Sequence, residues 1–376
     1  MSDPNFDPDA ILAGLREWVE IESPTYDPAA VNRCMDAAQA ALEGIGGSSE
    51  RIPGRDGIGD IVKVRLPGEK NGPGILVLGH LDTVHEIGAL AGPLRFRREG
   101  DRVYGPGILD MKGGNYIAYW ALRQLYGTGS RPKLPVTFML IPDEEVGSPT
   151  SRDEIEAEAK KHKLTLVVEP ARDDGALKTG RYGIARYRIR TEGVPAHAGA
   201  RHADGRSAIR EMAHQILAIE GMTDYERNIT LNVGNIAGGK HVNVVPVHCE
   251  AQILALVPGP ADEKEVLDRL LGLKPVNPDV KVEVERFLFR PSFEMSAEGR
   301  KLYDHAVKLA REIGFDPDHF TAGGGSDGNF TGALGVPTLD GLGMVGSGPH
   351  TEHEHILFSH IAPRTRLLYR LFETLE

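Results

Sequence analysis

The stretch Ile75-Leu76-Val77-Leu78-Gly79-His80-Leu81-Asp82 runs four apolar residues almost straight into a histidine and an aspartate. A continuous apolar run without polar alternation describes a strand buried on both faces, the habit of parallel strands in α/β proteins. Two further runs share the design: Val136 to Ile141 leads into Pro142-Asp143-Glu144-Glu145, and Leu164 to Val168 leads into Glu169-Pro170. Helix-like segments separate them. In open α/β sheets the ligand crevice lies beyond the carboxyl ends of the strands, so the three polar clusters are expected to converge there.

Outward from these strands the chain divides. Upstream, Ile11, Leu12, Leu15, Trp18 and Val19 fall at helical spacing behind Asp9, read as the cap, and a second helix is expected from Pro28 to about Leu42. Ile61 to Leu66 adds another short apolar run. From about Lys178 the pattern changes. Arg186 to Arg190 alternates, Ser207 to Ile219 is helical, Ile229 to Ile236 and Val247 to Leu256 are strand-like, Asp262 to Leu273 is helical and Val280 to Phe289 alternates. That βαββαβ order is the ferredoxin-like arrangement, and about 110 residues suffice for a domain of its own. The expected architecture is therefore α/β: a first domain with a mainly parallel central sheet in residues 1–178 and 291–376, interrupted by an inserted ferredoxin-like domain in residues 179–290. The first domain resumes with a helix from Ser296 to Ile313, a Gly-rich loop, a short strand at Val336 to Leu339 and a closing helix from Ala362 to Leu375.

Composition narrows the function. The chain has 376 residues with 43 Lys and Arg against 54 Asp and Glu, a formal net charge of −11, and it lacks the basic run that neutralises phosphates. Nucleic acid is not an expected partner. Hydrophobic residues make up 40 % and charged residues 26 %, which suits a globular protein with a sizeable core and argues against disorder. The 45 glycines beside 6 % aromatics suit long loops that turn tightly or approach something closely. Cys34 and Cys249 lie far apart and in no CxxC pattern, which supports neither a disulfide framework nor a thiolate zinc site. The start, Met1-Ser2-Asp3-Pro4-Asn5-Phe6-Asp7, is acidic and lacks the features of a signal peptide. No apolar stretch approaches the roughly 20 residues that cross a bilayer. A cytoplasmic protein away from membranes is expected.

Several residues have the types and settings that carry chemistry. Asp82 stands two residues after His80 at a strand end, where a carboxylate can accept the second ring N–H and fix which nitrogen faces a metal. Alone, such a pair describes a solvated loop as readily as a site. Asp110 sits in Gly105-Pro106-Gly107-Ile108-Leu109-Asp110-Met111-Lys112-Gly113-Gly114, where flanking glycines let the backbone bring one carboxylate into a crowded place; a flexible turn with a helix cap is the alternative. Glu144 and Glu145 repel each other unless a cation lies between them or one serves as a base, although an acidic turn reads the same way. Glu169 ends an apolar run where an unpaired carboxylate is costly, so a metal or a buried arginine is its expected partner. In Pro349-His350-Thr351-Glu352-His353-Glu354-His355, one histidine is read as a ligand. Two histidines among carboxylates suit Zn²⁺, Co²⁺ or Mn²⁺.

Taken together and in order, His80-x-Asp82, the Asp110 run, Asp143-Glu144-Glu145, Glu169-Pro170, His197-Ala198-Gly199 and His350 with Glu354 four residues on resemble the motif set of the M20 metallopeptidases. That family includes glutamate carboxypeptidases, aminoacylases, acetylornithine deacetylase and succinyl-diaminopimelate desuccinylase. The resemblance runs through nearly the whole chain. Gly147-Ser148-Pro149 with Ser151 looks more like the glutamate carboxypeptidase branch than the deacetylase branch.

The resemblance implies a zinc-exopeptidase-like catalytic domain with two zinc ions. Asp110 would bridge them, with His80 and Glu169 on one and Glu145 and His350 on the other. Asp82 would orient His80, and Glu144 would be the general base that takes a proton from water and passes it to the leaving amine. Two metals roughly 3.5–4 Å apart polarise a scissile carbonyl and acidify water. The inserted domain would be a lid and dimerisation domain. His197 resembles the family histidine that reaches the active site, usually of the partner subunit, and stabilises the oxyanion. Asn243, in Val242-Asn243-Val244-Val245-Pro246, and Arg290 resemble the residues that receive a substrate carboxylate. The loop Gly323-Gly324-Gly325-Ser326-Asp327-Gly328 resembles one whose backbone lines the site at Gly325.

One stretch departs from the pattern. Where much of the family has Asp-x-Arg, this chain has Leu254-Ala255-Leu256, so either Arg290 acts alone or the substrate is less anionic. The implied activity is hydrolysis of a peptide or N-acyl amide bond next to a free carboxylate, in a homodimer, with an N-acyl amino acid deacylase or desuccinylase as the alternative. A non-catalytic binding protein would lack the base or a ligand, and Glu144 and all five ligand positions are present.

Overall fold

The computed structural model describes residues 4–376; Met1, Ser2 and Asp3 of the acidic start lie outside the described residues. Two compact units emerge among the described residues, one made of residues 4–180, Met295–Phe320 and Ser326–Glu376, the other of Arg181–Glu294 and Thr321–Gly325. Among the described residues, no helix is long and apolar enough to cross a membrane.

The first unit is built on a six-stranded sheet. Its labelled strands are β1 (Ser48–Ile52), β2 (Ile61–Leu66), β3 (Ile75–His80), β4 (Val136–Ile141) and β5 (Leu164–Val167), and the short strand Thr338–Leu339 completes it. The order is β1-β2-β4-β3-β5 and then Thr338–Leu339. The last four of these run parallel, whereas β1 and β2 attach antiparallel, so the sheet is mixed. Every residue of β3, β4 and β5 is buried. Ile75 and Val77 face a core that also holds Leu15, Met35 and Leu122, while Leu76 and Leu78 face a second core with Ile155 and Phe330. Two covered faces are why these runs carry no polar alternation.

Around the sheet lie α1 (Pro8–Val19), α2 (Pro28–Glu43) and α3 (Gly113–Gly127). The cap of α1 is Asp7 and not Asp9: the Asp7 carboxylate accepts the Asp9 N–H at 3.2 Å. Pro8 then takes the first helical position, where its missing N–H costs nothing. The closing helices are Ala297–Ile313, capped by Ser296, and Ile361–Thr374.

The second unit contains β6 (Gly183–Glu192), α4 (Ala208–Glu220), β7 (Thr230–Gly238), β8 (His248–Val257), α5 (Pro260–Leu271) and β9 (Lys281–Arg290). Its four-stranded sheet has the order β7-β8-β6-β9, and every pair is antiparallel. Tyr187, Ile189, Ala251 and Ile253 point into a core with Met212 and Leu270 from the two helices. The alternate residues form the other face, where Arg190 bonds Glu250 at 2.8 Å and approaches Glu285 at 3.4 Å. One dry face and one charged face produce the alternation seen in sequence.

Candidate active site

Three strands of the first unit deliver candidate site residues at or just past their carboxyl ends. His80 is the last residue of β3, Glu144 and Glu145 form the turn after β4, and Glu169 follows β5 by two residues. The loop carrying Asp110 and the segment carrying His350 complete the ring of groups. Gly114 and Gly343 allow the tight packing beside Glu169: a Cβ on either would fall within 2.2 Å of the Val168 carbonyl oxygen. No side chain fits there.

His80, Asp110 and Glu169 form one potential metal-binding group, and Asp110, Glu145 and His350 form a second, with the donor atoms of each group within 4.8 Å of one another. Asp110 belongs to both. One of its oxygens lies 3.1 Å from His80 Nε2 and the other 3.4 Å from His350 Nε2. His80 Nε2 is also 3.8 Å from Glu169, and His350 Nε2 is 3.0 Å from Glu145. Oε1 of Glu145 is buried and has no hydrogen-bond partner among the described residues, the condition in which a carboxylate oxygen fits a cation. The donor set, carboxylates and imidazoles without thiolate, fits zinc or a similar dication.

Charge tells the same story. Burial alone would lower the His80 pKa, yet bonds to Asp110 and Asp82 outweigh it and hold the ring protonated well above the usual range. Hydrogen bonds to Asp110 and Glu145 raise His350 to about 11. Asp110 is depressed despite its burial, because both histidines bond to it. Burial pushes Glu145 up, and Asp110 beside it pushes the same way. In the protein alone, protons on the two imidazoles offset the crowded carboxylates; a bound dication replaces those protons.

Asp82 ties the groups together. Its buried carboxylate accepts the Thr25 hydroxyl at 2.8 Å and the backbone N–H groups of Glu144 at 3.2 Å and Glu145 at 3.3 Å, and it lies 3.4 Å from His80 Nδ1. The same residue therefore positions a ring of one group and the acidic turn of the other. Asn115 of α3 adds a second tie, its amide donating to the His80 carbonyl at 2.6 Å and the Met111 carbonyl at 3.2 Å.

Two positioning residues carry no role in the sequence reading. Glu354 is fully buried and its carboxylate accepts from the backbone N–H groups of Gly107 (3.1 Å), Leu109 (2.8 Å) and Asp110 (3.1 Å) and from His85 Nε2 (2.5 Å). It clamps the loop that presents Asp110. The only sequence signal was its place four residues after His350. Arg364, also buried, donates to the carbonyls of Gly341, Gly343 and Gly175, and burial lowers its pKa to about 10. Nothing in its helical surroundings announces that anchoring task. His353 and His355 fall in neither metal-binding group.

The remaining candidates lie in the second unit. His197 is exposed, and its Nδ1 accepts the N–H groups of Gly199 at 3.2 Å and Ala200 at 3.1 Å, so the neutral ring carries its proton on Nε2. The Asn243 segment lies alongside: Ala198 N–H donates to the Asn243 carbonyl at 2.9 Å. Arg290 ends β9, buried and paired in register with Ile184, and the Gly325 carbonyl accepts from Arg181 at 2.8 Å. Leu254 and Leu256 are half-buried on the sheet face opposite the core, with Leu254 beside Arg186 in the ladder.

Fold and cluster together define an α/β metallohydrolase. The sequence model of peptidase family M20/M25/M40 matches residues 76–374, a span holding every position of the cluster. Carboxypeptidase G2 of Pseudomonas sp. (strain RS-16) is 32 % identical over 371 residues, covering 96 % of this chain and 88 % of that protein. Acetylornithine deacetylase of Myxococcus xanthus is 30 % identical over 279 residues, 70 % of each. Among solved structures, aminopeptidase PepT from Bacillus cereus ATCC 10987 superposes with a TM-score of 0.77 at 21 % identity, over 97 % of this chain and 98 % of that one. The chain belongs to peptidase family M20/M25/M40 and is a hydrolase of peptide-type C–N bonds.

Proposed function

We propose that the protein is a dizinc hydrolase that cleaves a peptide or N-acyl amide bond next to a free carboxylate, in the manner of a carboxypeptidase. The observation that carries this reading is Asp110, whose two oxygens face one histidine each. His80, Asp110 and Glu169 would hold one dication and Asp110, Glu145 and His350 the other, zinc or in its stead cobalt or manganese; such a pair would supply polarisation of the scissile carbonyl and a lowered pKa of water. Asp82 keeps His80 oriented. The Glu144 carboxylate accepts the proton of the attacking water and, as the C–N bond breaks, returns it to the leaving amine. The Nε2–H of His197 donates to the oxyanion, Gly325 offers backbone to the substrate, and Arg290 with Asn243 receives its carboxylate, the guanidinium bonding both oxygens. Residues 179–290 act as a ferredoxin-like lid and dimerisation domain; the exposure of Ile236, Val242 and Val244 on and after β7 supports a partner surface there. Sedimentation of the zinc-loaded protein at micromolar concentration is expected to show a dimer.

A second reading, an N-acyl amino acid deacylase or desuccinylase, draws on Leu254 and Leu256, apolar where much of the family has charge, and on the similarity to acetylornithine deacetylase. Glu144→Gln tests the shared chemistry: kcat on a panel of N-acyl amino acids is expected to fall about 10²–10⁴-fold while metal content stays at two per chain. Hydrolysis that survives the change removes Glu144 from its role, and full activity with one metal per chain removes the dizinc reading.

A further inference from the structure

Aromatic residues make up only 6 % of the chain, yet four of them meet in one groove of the first unit. Trp18 of α1 and Tyr116, Tyr119 and Trp120 of α3 line it, α2 supplies the opposite wall, and the volume is about 780 Å³. Small-ligand pockets span roughly 300–1,000 Å³ and have this make-up, an apolar and aromatic lining with a few polar groups. The rings brace one another: Trp18 meets Tyr116 edge-on at 5.2 Å and stacks on Tyr119 at 5.9 Å between centroids. Gly14 and alanines of α1 and α2 leave the space above them open. The groove shares no residue with either metal-binding group.

Its polar groups are unspent. Tyr116 is 5 % exposed, and among the described residues its hydroxyl has no hydrogen-bond partner; it lies 1.8 Å from where a Cβ on Gly14 would stand, against another lining residue of the groove. A buried hydroxyl left in that state needs an explanation, and a ligand is one. Burial raises the pKa of Tyr116 and of Tyr119, so both hydroxyls keep their protons and donate. Glu17 and Arg123 stand at the edge, exposed, and neither forms an ion pair among the described residues. The Arg123 guanidinium is held over Trp120, 4.7 Å from the ring centroid. Both charges act on the Tyr119 hydroxyl, in opposite directions, so they flank the same space. A ligand bearing only a carboxylate would be repelled by Glu17, and one bearing only an amine by Arg123; a ligand carrying both satisfies each.

We infer that this groove binds a free amino acid with a bulky apolar side chain, its carboxylate on Arg123 and the tyrosine hydroxyls, its ammonium on Glu17 and its side chain on the aromatic floor. The assignment is independent of the reaction proposed above. Trp18 and Trp120 are the two tryptophans of the chain, so tryptophan fluorescence of the zinc-loaded protein reports on the groove. L-Leucine, which does not fluoresce, is expected to change the emission saturably. Leucinamide, which lacks the carboxylate, and isocaproate, which lacks the amine, are expected to bind roughly tenfold more weakly, the scale of a lost charge-assisted hydrogen bond. Arg123→Gln is expected to weaken leucine about tenfold without weakening leucinamide, and Glu17→Gln to weaken leucine about tenfold without weakening isocaproate. Both side chains are exposed, so neither change disturbs the fold. The absence of a saturable response, or equal affinities for leucine and its amide, overturns the assignment. So does a leucine affinity that both substitutions leave within twofold, since the amino acid then binds elsewhere, the metal-binding cluster included.

Discussion

The two units solve burial in different ways, and the difference decides where ionisable side chains gather. In the first, both faces of the sheet are covered, so β3, β4 and β5 are apolar apart from the threonines Thr137 and Thr165, and ionisable groups occur only at or past their carboxyl ends. His80, Glu144, Glu145 and Glu169 all sit at or just past those ends. In the second, one face of the sheet is dry and the other carries Arg188, Arg190, Glu250 and Glu285, while its candidate functional residues lie at an isolated bridge at His197, a turn at Asn243 and a strand end at Arg290. A sheet buried on both sides concentrates its polar groups in one crevice; a half-solvated sheet spreads them.

The sharpest way to break the comparison is to remove the residue on which the first unit converges. Asp110→Ala takes one ligand from each metal-binding group, and turnover is expected to fall about 10³-fold or more, because metal-supplied stabilisation of the transition state is worth several kcal/mol. Metal content measured after gel filtration is expected to drop as well. Wild-type kcat with both metals retained would mean that the convergence of strand ends has no catalytic purpose.

Glu354→Gln acts through that same loop at a residue that bonds the Asp110 backbone but belongs to neither metal-binding group. Its carboxylate accepts from four donors, and an amide presents an N–H₂ where an acceptor is needed. Zinc affinity, read by competition with a chelator, is expected to weaken about 10–100-fold, the usual cost of losing a group that orients metal ligands. Glu354→Asp, which keeps the charge, is expected to recover part of the loss. A fall in thermal stability with unchanged zinc affinity would make Glu354 a fold residue only.

How far the molecule was legible follows from the same contrast. Unbroken apolar runs and alternating ones report directly on covered and half-covered faces, so the strands of both sheets could be placed from residues 75–82, 136–141 and 164–168 and from the pattern after Lys178. Short edge strands such as β1, Ser48–Ile52, are polar and half-exposed, and carry no such signal. Glu169 was legible as a ligand candidate because a carboxylate after a buried strand is costly and needs a partner, whereas the choice of Asp110, Glu145 and His350 among the other candidates came from the resemblance to the M20 motif set. Glu354 and Arg364 were not legible, since each depends on segments far apart in the chain: Glu354 meets residues 85, 107, 109 and 110, and Arg364 meets residues 175, 341 and 343, only through folding. The cap at Asp7 was misplaced because Pro8 and Asp9 are both good first-turn residues, and only the bond from Asp9 N–H decides between Asp7 and Asp9.

In the second unit the expected effect is on binding rather than turnover. Arg290→Ala is expected to raise KM for carboxylate substrates roughly ten- to hundredfold, the worth of a charge-assisted hydrogen bond of about 1.5–3 kcal/mol, and to leave KM for the corresponding amides nearly unchanged. Equal changes for acid and amide would remove Arg290 from carboxylate recognition and shift weight to the deacylase reading. A fall in kcat alone would instead draw the second unit into the chemistry that the comparison assigns to the first.

The smallest effects test whether the two units, whose hydrophobic cores share no residue, also unfold separately. Ser296 and Ser207 cap one helix in each, accepting from Gly299 N–H at 3.0 Å and Arg210 N–H at 3.1 Å. The chemistry is the same, so each Ser→Ala change is expected to cost about 1 kcal/mol. The cores share no residue, and calorimetry of the protein is therefore expected to show two transitions, Ser207→Ala lowering one and Ser296→Ala the other. An equal loss of free energy moves a small unit further in temperature, because less entropy is released at its midpoint: roughly 4–8 °C for a domain of 60–100 residues against 2–4 °C for one of 150–250. The larger displacement should thus belong to Ser207→Ala. One transition shifted alike by both changes would show that the units unfold as one, and that the insertion is bound into the stability of the fold it interrupts.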